Sequence, residues 1–353
     1  MSLPDRIRPP PLLPDIFTRW FARRGWTPRA HQLQLLEKAE AERSTLLIAP
    51  TGGGKTLAGF LPTLVELHQA AMRADSLPRL RGRVGEGASS GGLQLPPPGE
   101  LRTPTSPASG RGRKADLHTL YISPLKALAV DITRNLETPV AEMGLPIRIE
   151  ARTGDTPVSK RTRQRRDPPD ILMTTPEQLA LLLASADAPY LFGTLKRVVL
   201  DELHALVTSK RGDLLALDLA RLHALAPGLQ TVGLSATVAD PDALRRYLVP
   251  QRHADPAMAD LIVAEAGAEP DVSMLPPGED LPWAGHTARH AYPAIYELIK
   301  RHKTTLVFVN TRSQAEMIFH ELWNLNDDGL AIALHHGSLD VAQRRKVEAA
   351  MAA

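Results

Sequence analysis

The chain has 353 residues, 43% of them hydrophobic, and a formal net charge of +3, so its length allows about two domains with buried cores. It contains no cysteine, which excludes disulfides, thiolate zinc sites and iron–sulfur clusters and fits a reducing cytosol. Prolines interrupt the N-terminal stretch MSLPDRIRPPPLLPDIF, and no apolar run is long enough to span a bilayer. We therefore predict neither a signal peptide nor a membrane segment, and expect a cytoplasmic location.

Six short apolar runs alternate with stretches of helical periodicity. They are TLLIAP (45–50), LHTLYISP (117–124), PIRIEART (146–153), DILMTTP (170–176), RVVLDE (197–202) and TVGLSAT (231–237). Runs that are apolar on both faces and separated by helices are typical of a parallel sheet covered by helices. In such sheets, functional groups collect beyond the carboxyl ends of the strands. The sequence therefore predicts an α/β fold with its site at that edge.

Two segments interrupt this alternation. Residues 73–116 are rich in Gly, Pro, Ser and Arg, which predicts a disordered basic surface insertion. Residues 267–288 predict an interdomain linker between a first domain over 1–266 and a partial second domain over 289–353. In the second domain, TTLVFVNTR and LAIALHHGS predict two strands separated by the helix SQAEMIFHELWNL. The insertion also accounts for the basic pI of 9.2, so net charge alone does not identify a nucleic-acid partner.

The segment APTGGGKT (49–56) follows a predicted strand and precedes a predicted helix, which is the context of a phosphate-binding loop. Glycine amides can curl toward phosphate oxygens there, while Lys55 reaches the terminal phosphates and the Thr56 hydroxyl holds magnesium. Ala49 stands where the consensus has glycine. The alternative is a purely structural turn between strand and helix. The predicted ATP-binding positions of this loop are Thr51, Gly52, Gly53, Gly54, Lys55 and Thr56.

Two adjacent carboxylates, Asp201 and Glu202, end the run RVVLDE. Charge at the end of a buried strand is unfavourable without a partner. Beside a phosphate loop, Asp201 is predicted to hold magnesium through water and Glu202 to polarise the attacking water, with Lys55 as the third catalytic residue. One alternative is that the two acids only cap a helix. Another is a metalloprotease, but its His-Glu-x-x-His motif is absent.

The motifs APTGGGKT, DELH (201–204) and SAT (235–237), in that order, resemble the superfamily-two helicases of the DExH type. SPLKALA (123–129), RTGDT (152–156), TTPEQL (174–179), FVNTR (308–312) and HHGSL (335–339) match further motifs of that family. The combination of SPLKALAVD, RTGDT, DELHAL and SKRGDLLALDLARL is similar to the large helicase-related (Lhr) branch, and within it to the bacterial ligase-associated helicases. The resemblance implies a P-loop NTPase with a RecA-like parallel sheet and a second, incomplete RecA-like domain.

The resemblance also implies roles for further residues. Gln32, in GWTPRAHQ, would read the adenine edge with its amide, and His204 would lie at the nucleotide and bridge toward the second domain. Ser235, Ala236 and Thr237 would couple the nucleotide state to the nucleic acid. A surface glutamine, a satisfied histidine and a capped turn remain the alternatives for these positions.

The same resemblance implies a set of nucleic-acid contacts, which track phosphates and carry little base information. They are Pro124, Leu125, Lys126, Thr153, Gly154, Asp155, Thr174, Thr175, Pro176, Glu177, Asn310, Thr311, Arg312, His336, Gly337 and Ser338. The basic run that follows RTGDT predicts either a nucleic-acid groove or an exposed helix face. It contains Lys160, Arg161, Arg163, Arg165 and Arg166.

The function implied is an ATP-dependent helicase or translocase acting in DNA repair, with ATP and Mg²⁺ as cofactors. Its implied partners are nucleic acid (DNA, or an RNA–DNA hybrid) and a DNA ligase and nuclease. Family members continue beyond HHGSL into an arginine-rich motif, and an arginine finger accelerates hydrolysis by about 10³–10⁵. We therefore expect a truncated chain that binds Mg-ATP, hydrolyses it slowly and does not unwind. The alternatives are a nucleotide-gated nucleic-acid-binding module without hydrolysis and a protein-remodelling ATPase.

Overall fold

The chain folds into two compact units, Met1–Ala268 and Glu269–Ala353. The computed structural model describes residues 12–50, 52–76, 116–236, 238–251, 257–265, 271–275 and 289–352. Within these ranges, no helix combines the length and apolar content that a membrane span requires.

The first unit is built on a seven-stranded sheet in which all paired strands run parallel. The strand order is β3-β4-β2-β5-β6-β1-β7. The strands are β1 (Thr45–Ile48), β2 (Thr119–Ile122), β3 (Ile149–Arg152), β4 (Ile171–Thr174), β5 (Arg197–Leu200), β6 (Gln230–Ser235) and β7 (Asp260–Val263). The first five lie within predicted runs and β6 begins one residue before its run, so the predicted α/β fold with a parallel sheet is confirmed. Only β7, at the edge, was not predicted.

Helices pack on both faces of this sheet. They are α1 (Asp15–Arg23), α2 (Ala30–Glu40), α3 (Lys55–Ser76), α4 (Lys126–Glu142), α5 (Val158–Arg166), α6 (Pro176–Leu183), α7 (Ala188–Phe192), α8 (Leu203–Val207), α9 (Lys210–Leu225) and α10 (Pro241–Tyr247). Successive strand residues point to opposite faces, so Leu120 and Val198 belong to one apolar cluster while Tyr121 and Val199 belong to the other. Burial on both faces explains why the runs are continuously apolar.

A buried ion-pair network joins the helix after the phosphate loop to the start of β5. Arg197 is only 1% exposed, and its guanidinium donates to both carboxylate oxygens of Glu66 in α3, at 2.7 and 3.2 Å. It also donates to Gln230 in β6 at 2.6 Å. His118 Nε2 lies 3.1 Å from the Glu66 carboxylate. The charge of Arg197 is therefore buried and paired through both terminal nitrogens, while its Nε has no hydrogen-bond partner among the described residues.

The segments predicted as insertion and linker lie mostly outside the described residues. Helix α3 continues to Ser76, so residues 73–76 are helical and do not belong to the insertion as predicted. Residues 77–115 lie outside the described part of the chain, as do 267–270 and 276–288. Residues 271–275 have no regular secondary structure.

The second unit is helical in its described residues. It contains a 3₁₀ turn (Arg289–Ala291) and the helices α11 (Tyr292–Arg301), α12 (Arg312–Asn324) and α13 (Val341–Ala352). The prediction of a helix before residue 325 is confirmed by α12. The prediction of two strands in this unit is wrong, because neither 304–312 nor 330–338 forms a strand. A strand needs a hydrogen-bonded neighbour and cover for its apolar face, and Phe308 is instead 87% exposed.

Candidate functional site

The strand order places most of the predicted functional residues along one edge of the first unit's sheet. The loops after β3, β4 and β2, which are neighbours, carry RTGDT, TTPEQL and SPLKALA. The loops after β5, β6 and β1 carry DELH, SAT and the phosphate loop. The edge thus has two parts, which we name after the roles predicted from the sequence. The segments after β3, β4 and β2 are called the nucleic-acid half, and those after β5, β6 and β1 the nucleotide half. They meet between β2 and β5.

The phosphate loop is a tight turn that its glycines make possible. Gly52 and Gly54 have φ of +75° and +76°, a region that residues with a Cβ rarely adopt. A Cβ on Gly53 would lie 2.8 Å from the Pro50 carbonyl oxygen, so this position has no room for a side chain either. Thr51 lies outside the described residues. The loop conformation therefore favours glycine at all three positions, while their predicted contact with phosphate stays a prediction.

Lys55 is the first residue of α3 and is 8% exposed. Its ammonium donates to the Ala49 carbonyl oxygen at 2.9 Å and lies 3.5 Å from that of Pro50. In this structure the lysine therefore closes its own loop. Its predicted contact with terminal phosphates remains a prediction.

Asp201 follows β5 and is 6% exposed. One carboxylate oxygen accepts the backbone N–H of Glu202 at 3.0 Å, and the other accepts the hydroxyl of Tyr121 at 2.5 Å. Burial raises the pKa of Asp201 above its usual value; the Tyr121 hydrogen bond opposes this rise, and the Glu202 charge adds to it. Burial and the Asp201 carboxylate likewise raise the pKa of Tyr121. Two donors therefore orient this carboxylate.

Glu202, His204 and Ser235 form a continuous chain across β5 and β6. His204 Nδ1 lies 3.1 Å from the Ser235 hydroxyl and accepts the Ala236 N–H at 3.4 Å. The ring proton therefore belongs on Nε2, which lies 3.5 Å from the Glu202 carboxylate. Glu202 itself has φ of +46°, a left-handed conformation that is uncommon for a residue other than glycine. Thr237, the last predicted coupling residue, lies outside the described residues.

The described oxygen ligands near the phosphate loop suit a magnesium ion that also binds water and phosphate, and do not form a site in which the protein supplies every ligand. Among the described residues, no group of three or more His, Cys, Asp or Glu side chains is arranged to hold a metal ion. Magnesium usually keeps several waters and is bound by one or two carboxylates together with substrate phosphates. A single carboxylate, Asp201, and the Thr56 hydroxyl provide that kind of partial donor set.

Gln32 is buried at the start of α2 beside the phosphate loop. Its side-chain oxygen accepts the Arg29 backbone N–H at 2.9 Å, and its amide nitrogen would lie 3.1 Å from a Cβ on Gly54. It borders a cavity of about 790 Å³ that Trp20, Arg24, Trp26 and Thr56 also line. The Arg24 guanidinium lies 5.2 Å from the Trp26 ring and 5.5 Å from the Trp20 ring. The amide is thus held in place at an aromatic cavity of nucleoside size.

In the nucleic-acid half, the RTGDT turn is closed by hydrogen bonds. The Thr153 N–H donates to the Thr156 hydroxyl at 2.9 Å. The Arg161 guanidinium, one turn into α5, donates to the carbonyl oxygens of Gly154 and Thr156. Arg161 thus lies partly buried against the turn. Within the basic run, the prediction of an exposed helix face fits Lys160, Arg163 and Arg166, which are exposed.

The loops after β4 and β2 lie beside this turn. The Thr174 hydroxyl donates to the Arg152 carbonyl oxygen at 2.9 Å. The Ser123 N–H donates to the backbone carbonyl oxygen of Thr174 at 3.0 Å. Leu125, next to Pro124, is 58% exposed. Thr175, Pro176 and Glu177 begin α6, and Glu177 pairs with Arg211. Lys126 begins α4, but its side chain lies outside the described part of the structure.

Within the second unit, the two predicted contact groups lie together. The Thr311 hydroxyl caps α12 by accepting the Gln314 N–H at 3.2 Å, and the Arg312 guanidinium donates to the Ser338 hydroxyl. Asn310 precedes this cap, and His336 and Gly337 precede Ser338 in sequence. The structure thus brings these two sequence segments together, while their predicted role stays a prediction.

Three residues near the predicted groups were not selected from the sequence. Tyr121 lies inside an apolar run, where an aromatic residue reads as core. Arg161 lies in a basic run that gave no reason to separate it from its neighbours. Trp26 precedes Gln32 by six positions in GWTPRAHQ. This proximity in sequence could have indicated that Trp26 lines the same cavity.

The profile of the DEAD/DEAH box helicase family matches residues 29–244. This range includes the phosphate loop, both carboxylates and the Ser235 segment. The chain belongs to the DEAD/DEAH box helicase family. Among curated relatives it is 32% identical over 320 residues to the ATP-dependent helicase Lhr-Core of Methanothermobacter thermautotrophicus. It is 36% identical over 344 residues to the Lhr helicase/uracil glycosylase of Escherichia coli. These relatives confirm the similarity to the Lhr branch.

The matches cover most of this DEAD/DEAH box chain but only part of each relative. They include 87% and 89% of the chain but 33% and 20% of the Methanothermobacter and Escherichia proteins. A structure of Mycobacterium smegmatis helicase Lhr bound to ssDNA and AMP-PNP has a TM-score of 0.67 and 31% identity, covering 96% of this chain and 40% of that one. A structure of the helicase MrfA, at 21% identity and a TM-score of 0.69, shares the fold.

Proposed function

We propose that this chain is the nucleotide-binding part of an ATP-dependent helicase or translocase that moves along nucleic acid. The observation that carries the proposal is the edge of the sheet: the phosphate loop and the Asp201–Glu202 pair occupy one half, and the three motifs predicted to contact nucleic acid occupy the adjoining half. A purely structural turn would not need a buried carboxylate beside it. The family match supports the same conclusion.

In the proposed reaction, each residue of the nucleotide half has a defined task. The loop amides and Lys55 bind the phosphates, and Asp201 and Thr56 hold the magnesium ion. When bound there, Mg²⁺ would neutralise charge on the phosphates. Glu202 orients and polarises the attacking water. The contacts from Glu202 to His204 and from His204 to Ser235 link the position of Glu202 to the loop after β6.

The cavity beside Gln32 is proposed to receive the adenosine part of ATP. A base can stack on the exposed face of Trp26, which is 50% exposed, while the amide of Gln32 meets the base edge. Gln32 is already oriented by the Arg29 N–H, so little ordering would accompany binding.

The nucleic-acid half is proposed to bind a single strand of DNA, with an RNA–DNA hybrid as the other substrate to test. Turns and helix starts offer backbone N–H groups to phosphates, and the Mycobacterium smegmatis relative is described as bound to ssDNA. We extend the proposal to a cytoplasmic role in DNA repair with a ligase and a nuclease as partners, by resemblance to the ligase-associated helicases. We also propose that these 353 residues bind Mg-ATP but hydrolyse it slowly, since the described part of the second unit has no strand.

Strand-stimulated ATP hydrolysis tests the proposal. The chain is assayed with and without single-stranded DNA, RNA and hybrid, next to Glu202→Gln. We expect stimulation by DNA and a loss of about 10²–10⁴-fold in turnover in E202Q, with ATP binding retained. Turnover equal in both proteins would contradict the assignment of Glu202. Binding of ATP and DNA without any hydrolysis would favour a nucleotide-gated clamp, and hydrolysis that no nucleic acid stimulates would favour a protein-remodelling ATPase.

A further inference from the structure

Tyr121 provides a contact to the nucleotide half that the motif residues do not explain. It lies in β2, whose following loop belongs to the nucleic-acid half, and is fully buried. Its hydroxyl donates to an Asp201 carboxylate oxygen at 2.5 Å. The two residues lie at the ends of adjacent strands, where β2 pairs with β5. Tyr121 therefore bridges the boundary between the two halves.

The tyrosine ring is itself held firmly. It stacks on Phe60 of α3, with ring centroids 4.8 Å apart and an interplanar angle of 18°. Phe60 is fully buried and lies one turn beyond Lys55 and Thr56 on the helix that follows the phosphate loop. A ring fixed in this way presents its hydroxyl from one direction only. The Asp201 carboxylate is thus held, through Tyr121 and Phe60, in a fixed position relative to α3, the helix that carries Thr56.

We infer that Tyr121 is a positioning residue for magnesium: its hydroxyl fixes the Asp201 carboxylate in the orientation that meets the ion. This inference rests on the proposed function, in which Asp201 and Thr56 hold the ion. The argument is geometric. One Asp201 oxygen is held by the Glu202 N–H and the other by Tyr121, so the carboxylate cannot rotate. Each oxygen keeps a second lone pair for a magnesium-bound water.

Removing the hydroxyl alone tests the role. Tyr121→Phe keeps the ring on Phe60, and Tyr247→Phe is the matched control because that hydroxyl donates to the Gly212 carbonyl at 2.7 Å, away from Asp201. Binding of a fluorescent ATP analogue is titrated with MgCl₂ and separately measured in EDTA. We expect Y121F to need about ten- to hundred-fold more Mg²⁺ for half-maximal binding of the analogue, which corresponds to loss of one hydrogen bond to a charged group. We expect binding in EDTA to be unchanged, and Y247F to behave as wild type.

Two further variants show whether Tyr121 acts through Asp201. In Asp201→Asn, adding Y121F is expected to change the magnesium requirement less than two-fold, because residues that act as a unit are not additive. Phe60→Leu keeps the hydroxyl but loosens the ring, so it is expected to shift the requirement in the same direction by a smaller factor. This variant keeps the inference testable if Y121F does not fold.

The outcomes separate the inference from the proposed function. A wild-type chain that binds the analogue equally in Mg²⁺ and EDTA would overturn both. Magnesium-dependent binding that neither Y121F nor F60L alters would overturn the inference alone. If Y121F raises the magnesium requirement as much on the D201N background as on wild type, the inference would also be overturned. Tyr121 would then act on something other than this carboxylate.

Discussion

His204 Nδ1 lies 3.1 Å from the Ser235 hydroxyl, and this contact joins the end of β5 to the end of β6. The same nitrogen accepts the Ala236 N–H, which leaves the ring proton on Nε2 facing Glu202. A displacement of the loop after β6 would therefore be transmitted through one imidazole ring to the proposed water activator. The arrangement makes His204 a candidate for coupling hydrolysis to the bound strand.

Replacing His204 by alanine removes this link without touching the phosphate loop. We expect basal ATP hydrolysis to fall no more than about three-fold, while stimulation by single-stranded DNA falls about ten-fold, within the usual range of coupling free energies. His204→Asn is the matched variant, because its amide oxygen can accept from Ser235 and Ala236 as Nδ1 does. It should recover part of the stimulation. Equal losses of basal and stimulated rates in H204A would show that the histidine serves the chemistry and not the coupling.

Arg161 is expected to matter for strand binding through the shape of the RTGDT turn. Its guanidinium donates to the carbonyl oxygens of Gly154 and Thr156, which fixes the conformation of the turn. Arg161→Ala should weaken binding of a labelled oligodeoxythymidine about five- to twenty-fold at fixed salt, from the loss of two charge-assisted hydrogen bonds. Fluorescence anisotropy measures the affinity.

Arg163→Ala is the control for charge, since Arg163 lies on the same helix but pairs with Glu150 at the surface at 2.6 Å. It should weaken binding about two-fold, the effect of removing one exposed charge. If R161A and R163A weaken binding equally, the basic run acts only through its charge.

The Glu66–Arg197 pair is expected to stabilise the fold. Glu66→Gln leaves the buried guanidinium without a charged partner, since only neutral acceptors such as Gln230 and Thr63 remain, and breaking a buried pair by removing one charge is strongly destabilising. We expect a loss of about 2–4 kcal/mol in the free energy of unfolding at pH 7, somewhat less than for a fully unpaired charge. Glu142→Gln, which removes the acid from the exposed pair with Arg24, should lower the free energy of unfolding far less, because exposed ion pairs contribute little.

The difference in the free energy of unfolding between wild type and E66Q should depend on pH, because folding shifts the pKa of Glu66. Burial raises that pKa, but hydrogen bonds from His118 and Arg197 outweigh burial and lower it to about 2. A carboxyl whose pKa is lowered on folding contributes stability above its unfolded pKa and loses it as the pH falls toward the folded value. The gap between wild type and E66Q in urea denaturation should therefore narrow between about pH 4 and pH 2. A constant gap would assign the effect of E66Q to packing.

The sheet could be predicted from the sequence because burial on both faces leaves a continuous apolar signal. In β2 and β5, alternate residues enter different clusters, so no polar position interrupts the run. The edge strand β7 gives a weaker signal, since only Ile262 is buried while Leu261 and Val263 stay exposed. In the second unit, the apolar pattern around Phe308 resembles a strand, but periodicity does not report whether a pairing partner is present.

The groups of the site could be predicted where a motif spacing defines them. Lys55, Asp201 and Glu202 stand in such motifs, and the fold places them at one edge because parallel strands all end there. Tyr121 could not be predicted, because its hydroxyl differs from a core phenylalanine only through a partner 80 positions away. Arg161 is likewise distinguished from its basic neighbours only by the two carbonyl oxygens that it contacts.

Asp218 is expected to destabilise the protein at neutral pH. It lies in α9, is 7% exposed, and one of its carboxylate oxygens has no hydrogen-bond partner among the described residues. Burial raises its pKa to about 6, against a smaller opposing effect of Arg221. Since the folded pKa exceeds the unfolded value of about 3.9, the folded state binds the proton more tightly, and stability falls as the pH rises from about 4 to 6.

Asp218→Asn removes this ionisation while keeping the size of the side chain. We expect the variant to be more stable than wild type by about 1–3 kcal/mol at pH 8 and nearly equal to it at about pH 3, because Asp218 is then protonated in both the folded and the unfolded state. Urea denaturation at the two pH values measures the difference. Asp213→Asn, at an exposed position of the same helix, should change stability by less than about 0.5 kcal/mol at either pH. A stabilisation by D218N that does not change with pH would show that the amide gains a hydrogen bond and that ionisation of Asp218 is not the cause.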